Sequence, residues 1–304
     1  NALVTRARIH ADGAADRTRR SNGEFQTCKV ARVVILHQRR QVHASSDAEA
    51  TMRDMIESAI NKGLSQICFT EHQDHGYPYN SEFPEGSWML NIDSYLYELL
   101  SLREEYIDKI QVGFGIEIGM QEQVFRENAL TAKSHEFDYI IGSIHVVNGF
   151  DTYDHKYFDS KTDKEAMTEF FKTELANIKR FQNFDCLGHL DYIVRTVPCG
   201  EAGYSPSEYS DYIDEMLSFL IENEKGIEIN TSALRKGFSN PNPHRDIIKR
   251  YKELGGEIIT IGSDAHKAED VGEKFDIAEE ILKDCGFKYY STFENRVAYF
   301  HKLQ

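Results

Sequence analysis

Six β-like segments of the chain each end on a residue that can bind a metal ion. The candidates at these ends are imidazoles, carboxylates and one carboxamide: Glu71, His72, Glu117, His145, His189, Asp191, Asn230, Asp264 and His266. A single histidine at a strand end is more often a hydrogen-bonded structural residue. Ligand-type residues at the end of strand after strand instead predict a ring of side chains at one mouth of a parallel β/α barrel, where such folds carry out their chemistry.

The mixture of donor types indicates which ions the ring would hold. Neutral imidazole together with carboxylate is typical of Zn, Mn or Fe sites, and a carboxylate such as Glu117 can bridge two ions. Cysteine contributes nothing to the ring, because the five cysteines are scattered and none is spaced as CxxC. Their number and spacing also argue against a disulfide framework and predict a protein of the reducing cytoplasm.

Strand and helix patterns alternate from about residue 45 onward. There are eight strand candidates, at residues 33–36, 66–70, 110–118, 137–144, 184–189, 226–230, 257–262 and 287–292. Apolar residues at helical spacing fill the stretches between them, and Ser46 with Glu49 predicts a capping box for the first helix. The alternation predicts an α/β fold in which crossover helices join parallel strands.

The formal net charge of −15 bears on the partners of the protein. An acidic surface repels polyanions, so we expect no nucleic-acid partner. No apolar run approaches the roughly 18 residues that a membrane span requires, so we expect no membrane insertion. The polar, aromatic stretches 73–90 and 146–162 follow strands and are expected to wall a pocket for a small molecule. The oligomeric state is left open.

The first 40 residues differ in composition from the rest. They contain nine of the 35 Lys and Arg residues but three of the 50 acidic residues, so the remainder carries a charge of −21. An Arg-rich, acid-poor start can be a targeting peptide or a basic tail. We expect residues 1–43 to be a poorly ordered segment, or one foreign to the domain at 44–304, rather than a nucleic-acid arm.

Successive motifs of the chain resemble those of the polymerase-and-histidinol-phosphatase (PHP) superfamily. The short motifs are Thr-Glu-His at 70–72, Gly-Ile-Glu at 115–117, Ile-Gly-Ser-Ile-His at 141–145, Gly-His-Leu-Asp at 188–191, Glu-Ile-Asn at 228–230 and Gly-Ser-Asp-Ala-His at 262–266. The longer stretches 68–72, 138–145, 189–195 and 228–235 are similar to the histidinol-phosphatases within it. The resemblance covers about residues 44–304.

This resemblance implies a distorted, TIM-like (β/α)7 barrel with two or three divalent metal ions, Zn, Mn or Fe. It also implies a phosphoric monoester hydrolase that converts L-histidinol phosphate to L-histidinol and phosphate in histidine biosynthesis. The predicted metal ligands are His72, Glu117, His145, His189, Asp264 and His266, with Asp47 and His43 as further candidates. Among these, Glu117, Asp264 and His266 are predicted to be catalytic.

Two arginines are predicted to bind the phosphate of the substrate. Arg195 follows the His189 motif and Arg235 follows Asn230. Guanidinium groups match phosphate oxygens in a bidentate geometry, which favours these residues over Lys236. The alternative for each is a surface arginine in an ion pair.

The sequence departs from the family at its first motif. The family opens with His-x-His and then Ser-x-Asp; here Ser45 and Asp47 are present, but the paired histidines are not recognisable. His43 is the candidate replacement for one of them, with Gln41 in the place of its partner. Two alternatives therefore stay open: another PHP-type phosphoesterase, and a catalytically impaired barrel that lacks the first motif.

Overall fold

A computed structural model describes the backbone of residues 35–36 and residues 50–79 and 84–304 in full. Seven strands form one parallel sheet. In the order in which they pair, they are β1 (Ile35–Leu36), β2 (Gln66–Gln73), β3 (Gln111–Gly119), β4 (Tyr139–Ser143), β7 (Cys186–Leu187), β8 (Gly226–Asn230) and β9 (Ile259–Gly262). Residues of β9 lie beside β1, so the sheet curves round into a barrel. This confirms the predicted α/β barrel of seven strands.

Helices occupy the crossovers between successive barrel strands, and a further helix follows the last of these strands. They are α1 (Met52–Asn61), α2 (Ile92–Glu105), α3 (Phe125–Thr131), α4 (Asp163–Arg180), α5 (Ser210–Glu222), α6 (Ser232–Arg235), α7 (Arg245–Glu253) and α8 (Phe275–Asp284). A short hairpin, β5 (Val146–Val147) with β6 (Phe150–Asp151), interrupts the connection after β4. No helix in the described part of the chain is long and apolar enough to cross a membrane.

Strand periodicity divides each barrel strand between two environments. On β2, Phe69 packs into the large core between the sheet and the helices, whereas Cys68 belongs to a smaller cluster with residues of β4 and β7. Because successive side chains point to opposite faces, Cys68, Thr70 and His72 share the barrel interior. Apolar side chains therefore fill the end of the barrel at which the strands begin, called the lower barrel below. Polar side chains lie at the mouth, where the strands end.

The first helix begins later than its sequence pattern predicted. Thr51 caps α1: its side chain accepts a hydrogen bond from the backbone N–H of Asp54, and Asp54 accepts one from the backbone N–H of Thr51. Thr51 rather than the predicted Ser46 is therefore the cap of this helix, and Ser46 and Glu49 lie outside the described residues. The sequence Thr-x-x-Asp satisfies the same capping requirement immediately before the apolar face begins.

The last strand candidate does not join the barrel. Strand β10 (Tyr289–Glu294) pairs antiparallel with β11 (Val297–Lys302) in a separate two-stranded sheet. Asn295 and Arg296, with φ of 50° and 65°, form the two-residue connection, which permits antiparallel pairing only. Of the eight strand candidates, seven thus form the barrel that the family resemblance implies, and the eighth, at residues 287–292, lies in the hairpin. Phe293 of this hairpin packs on Tyr139 inside the lower barrel.

Candidate metal centre

The parallel strands bring four predicted ligands to one mouth of the barrel. His72 and Glu117 are register partners on β2 and β3. His145 follows β4 by two residues, and His189 follows β7 by two residues. The carboxyl ends of parallel strands meet at the same end of a barrel, so side chains from distant parts of the chain converge.

Glu117 lies at the centre of the histidine cluster. Its Oε2 is 3.3 Å from His72 Nδ1, and its Oε1 is 3.3 Å from His145 Nε2 and 3.1 Å from His189 Nε2. Among the residues that the structure describes, donor atoms of His72, Glu117 and His145 all lie within 4.8 Å of one another. A buried carboxylate among three imidazoles fits a divalent cation, or two cations that share the carboxylate.

Asp74 also belongs to this cluster, although the sequence analysis did not select it. Its Oδ1 accepts a hydrogen bond from His145 Nδ1 at 2.7 Å, and its Oδ2 lies 3.2 Å from His72 Nδ1. The bond to Nδ1 leaves His145 Nε2 facing Glu117. Carboxylates commonly orient metal-binding histidines in this way. The spacing Glu-His-x-Asp is visible in the sequence, but Asp74 falls in the stretch 73–90 that the sequence predicts to be a loop.

Burial and neighbouring charges act differently on the two buried histidines. Burial opposes protonation of His145, yet Asp74 and Glu117 outweigh it and raise its pKa well above the ordinary value. Burial would raise the pKa of Asp74, but its contacts with His145 and His72 lower it to about 2. Burial lowers the pKa of His189 to about 4. His189 is therefore neutral near pH 7 and can offer a lone pair to a cation.

Arg195 is held by three side chains from other parts of the chain. Its Nη1 donates to Asp264 Oδ2 at 3.0 Å, its Nη2 to Asn230 Oδ1 at 2.9 Å, and its Nε to Asn242 Oδ1 at 2.7 Å. Only 4% of the side chain is exposed, and the guanidinium lies over the ring of Tyr192 at 5.0 Å. Burial alone would lower the pKa of Arg195, but Asp264 reverses this, so the group stays cationic.

Asp264 and His266 lie on the loop after β9. His266 Nδ1 is 3.1 Å from the Asp264 carbonyl oxygen and 3.8 Å from its carboxylate. Asp264 has a φ of 49° and His189 a φ of 24°, a region that residues other than glycine rarely adopt. Backbone strain at two strand ends of one barrel mouth is typical of functional sites.

Arg235 holds this loop in place. Its two terminal nitrogens donate to the carbonyl oxygens of Ser263, at 2.7 Å, and Asp264, at 3.1 Å, and its Nε is 3.4 Å from Asp270. Arg235 thus uses both terminal nitrogens to bind the backbone that carries Asp264. The sequence predicts phosphate binding for Arg235, but this second role depends on how the loop after β9 folds.

Three other residues at strand ends have contacts outside the histidine cluster. The carboxylate of Asp191 accepts hydrogen bonds from Asn242 Nδ2 at 2.7 Å and from the backbone N–H of His244 at 2.8 Å. Asn230 contacts Arg195, and Glu71 is buried on the opposite face of β2 from His72. The further candidates His43 and Asp47 lie outside the described residues.

The sequence model of the PHP domain matches residues 37–232, more than half of the chain. The chain belongs to the PHP domain family. It is 38% identical over 244 residues to a probable histidinol-phosphatase of Clostridium acetobutylicum, covering 80% of this chain and 91% of the relative. It is 32% identical over 255 residues to the histidinol-phosphatase of Lactococcus lactis, covering 83% and 91% of the two chains. The predicted family and its histidinol-phosphatase type are thereby confirmed.

Two solved structures are similar in fold to this PHP protein. The crystal structure of the histidinol phosphate phosphatase of Lactococcus lactis, complexed with zinc, L-histidinol and phosphate, superposes with a TM-score of 0.79 at 30% identity. The match covers 88% of this chain and 98% of that one. A second structure, from Listeria monocytogenes, has a TM-score of 0.65 at 16% identity and supports the fold alone.

The candidate ligands and arginines of the PHP protein line one cavity of about 790 Å³. Loop 73–90 contributes Tyr77 and Trp88 to its wall, and the segment after β5 contributes Asp151, Tyr153 and Asp154. Tyr77 donates a hydrogen bond to Asp151 Oδ2 at 2.5 Å, so the two loops meet over the site. The wall of the cavity therefore combines the cationic Arg195 with acidic and aromatic side chains from these loops.

Proposed function

We propose that this PHP protein is a metal-dependent histidinol-phosphatase that hydrolyses L-histidinol phosphate to L-histidinol and phosphate. One observation carries the proposal: the Glu117–histidine cluster and Arg195 line the same cavity. Donors for cations and a buried guanidinium are the two requirements for holding a phosphoryl group. The identity to histidinol-phosphatases over most of the chain supports this choice among phosphatases.

The candidate residues would divide into metal ligands and phosphate-binding residues. His72, Glu117, His145 and His189, with Asp264 and His266 from the loop after β9, would hold two or three divalent ions. Bound there, such ions would supply Lewis-acid stabilisation of the phosphoryl charge and acidify a water molecule.

Arg195 and Arg235 would bind the phosphate oxygens. Arg195 donates three of its five N–H groups to described neighbours, which leaves one on each terminal nitrogen for the substrate. Lys236 lines the same cavity and adds a further positive charge.

Acidic and aromatic residues of the same cavity suit the alcohol part of the substrate. L-Histidinol carries an ammonium group and an imidazole ring. Asp151 and Asp154 offer carboxylates for the ammonium, and Tyr77, Trp88 and Tyr153 offer aromatic faces for the ring. A cavity of 790 Å³ is within the usual size for a small-molecule site. We further propose that the protein acts in the cytoplasm, on the grounds of its cysteine usage. Because its net charge is acidic, we propose a small-molecule partner and no nucleic-acid partner.

The test is phosphate release by purified, metal-loaded protein. L-Histidinol phosphate is compared with p-nitrophenyl phosphate and a nucleoside monophosphate, each with and without a chelator, while bound metal is counted per chain. We expect at least one tightly bound metal, chelator-sensitive turnover, and a preference for L-histidinol phosphate. Glu117→Gln should lose metal and reduce turnover by about 100-fold or more, since it removes the shared ligand.

Two results would replace this proposal with an alternative. A preference for the nucleotide would indicate another PHP-type phosphoesterase. Less than one metal per chain, with no phosphate release above the chelated control, would indicate an impaired barrel.

A further inference from the structure

Asn242 joins three strand ends behind the phosphate side of the cavity. Its backbone exchanges hydrogen bonds with Asn230 at the end of β8, at 2.7 and 3.1 Å. Its side chain lies between Asp191, which follows β7, and Arg195, whose Nη1 reaches Asp264 after β9. Only 3% of Asn242 is exposed, and it is not among the residues that line the cavity.

The two ends of the Asn242 carboxamide have complementary neighbours. Nδ2 donates to Asp191 Oδ1 at 2.7 Å and lies 3.3 Å from the Asp191 carbonyl oxygen, while Oδ1 accepts from Arg195 Nε at 2.7 Å. An ionised carboxylate only accepts and a guanidinium only donates, so a flipped amide would lose both bonds. The orientation of the amide is therefore fixed by Asp191.

We infer that Asn242 is a positioning residue for Arg195, set in turn by Asp191, and that it determines the affinity of the site for phosphate. This inference rests on the proposed function in assigning phosphate binding to Arg195. The hydrogen bond from Nε to Asn242 restrains rotation of the guanidinium, so the N–H groups that remain on its two terminal nitrogens keep a fixed direction. Pre-organisation of this kind contributes affinity because less side-chain freedom is lost on binding.

The experiment is a double-mutant cycle on the metal-loaded protein with Arg195→Ala, Asn242→Ala and the double variant. KM and kcat are measured with L-histidinol phosphate, the Kd of inorganic phosphate by calorimetry, and metal per chain by elemental analysis. We expect Asn242→Ala to raise KM and the phosphate Kd by about tenfold, the effect of losing one charge-assisted hydrogen bond. Metal content and kcat should change by less than about twofold.

The cycle separates positioning from a general structural role. If Asn242 acts through Arg195, the double variant binds phosphate no more weakly than Arg195→Ala alone. Asn240→Ala is the matched control, because Asn240 lies in the same segment and bonds Glu201 instead. It should keep the wild-type phosphate Kd. Additive losses in the double variant, or loss of metal from Asn242→Ala, would overturn the inference.

A second variant keeps the test decisive if Asn242→Ala does not fold. Asp191→Asn is isosteric, and its single acceptor oxygen cannot serve both Asn242 and the N–H of His244. It should weaken phosphate binding in the same direction, and the loss should again vanish when Arg195 is alanine. Phosphate binding does not depend on the leaving alcohol. A protein that binds phosphate as expected but ignores L-histidinol phosphate would therefore refute the proposed function and not this inference.

Discussion

The carboxylate of Asp74 accepts a hydrogen bond from His145 Nδ1 at 2.7 Å, and both side chains are buried. The same carboxylate lies 3.2 Å from His72 Nδ1. One residue thus fixes the ring orientation of two candidate ligands that come from different strands. The metal centre depends on this support as well as on the donor atoms themselves.

Replacing Asp74 by Asn should weaken metal binding. The amide can accept from one histidine only, so the second ring loses its orientation. We expect metal affinity to fall by about 10–100-fold, the range for lost supporting contacts in metal sites. Competition with a chromophoric chelator measures it. Asp93→Asn is the control, because Asp93 pairs with His135 on the surface. Unchanged affinity in the Asp74 variant would contradict this role.

Gly119, at the end of β3, should also be required for metal binding, because it leaves room for the Asp74 carboxylate. A Cβ atom at this position would lie 1.8 Å from Asp74 Oδ1, so alanine must displace the carboxylate. We expect Gly119→Ala to lower metal content along with stability. In Gly113→Ala, on the same strand, the added Cβ would meet Cys68 at 2.9 Å, away from the site. That variant should lose stability but keep its metal; equal metal content in both would refute the argument.

The positions of the main ligand candidates were predictable because strand ends follow from local patterns. Parallel strands converge by geometry, so His72, Glu117, His145 and His189 could be expected to meet. The contacts of Asn242 and Arg235 were not predictable, because they depend on how loops from three strand ends fold over one another. The antiparallel hairpin at the end was missed since apolar alternation does not encode the direction of a strand.

Glu174 should make stability depend on pH. It is 1% exposed in α4, and burial, reinforced by the Asp191 carboxylate, raises its pKa well above the ordinary value. The folded protein therefore holds this proton more tightly than the unfolded chain. Its contribution to stability is complete below the unfolded pKa of about 4.5 and is lost as the pH rises through the folded pKa. Glu174→Gln removes this loss.

Thermal unfolding of wild type and Glu174→Gln at pH 5 and pH 8 tests the sign. The Tm of the variant relative to wild type should be higher at pH 8 than at pH 5, by about 2–4 °C for each kcal/mol of free energy regained. Glu222→Gln, on the exposed side of α5, controls for the loss of one negative charge. A difference that stays constant or shrinks with pH would show that Glu174 is not protonated in the folded protein.

The hairpin β10–β11 should stabilise the barrel without serving the site at its other end. Phe293 stacks on Tyr139 with ring centroids 4.8 Å apart, and at the adjacent turn Asp138 accepts hydrogen bonds from the backbone of Asn295 and Arg296.

Phe293→Ala would leave a cavity in the lower barrel, which typically costs about 3–5 kcal/mol of unfolding free energy. Tyr299→Ala, 46% exposed on β11, should cost less than about 1 kcal/mol. Denaturant unfolding measures both, while metal content and KM of the folded protein should stay at wild-type values. A change in KM for Phe293→Ala would show instead that the lower barrel and the metal centre are coupled.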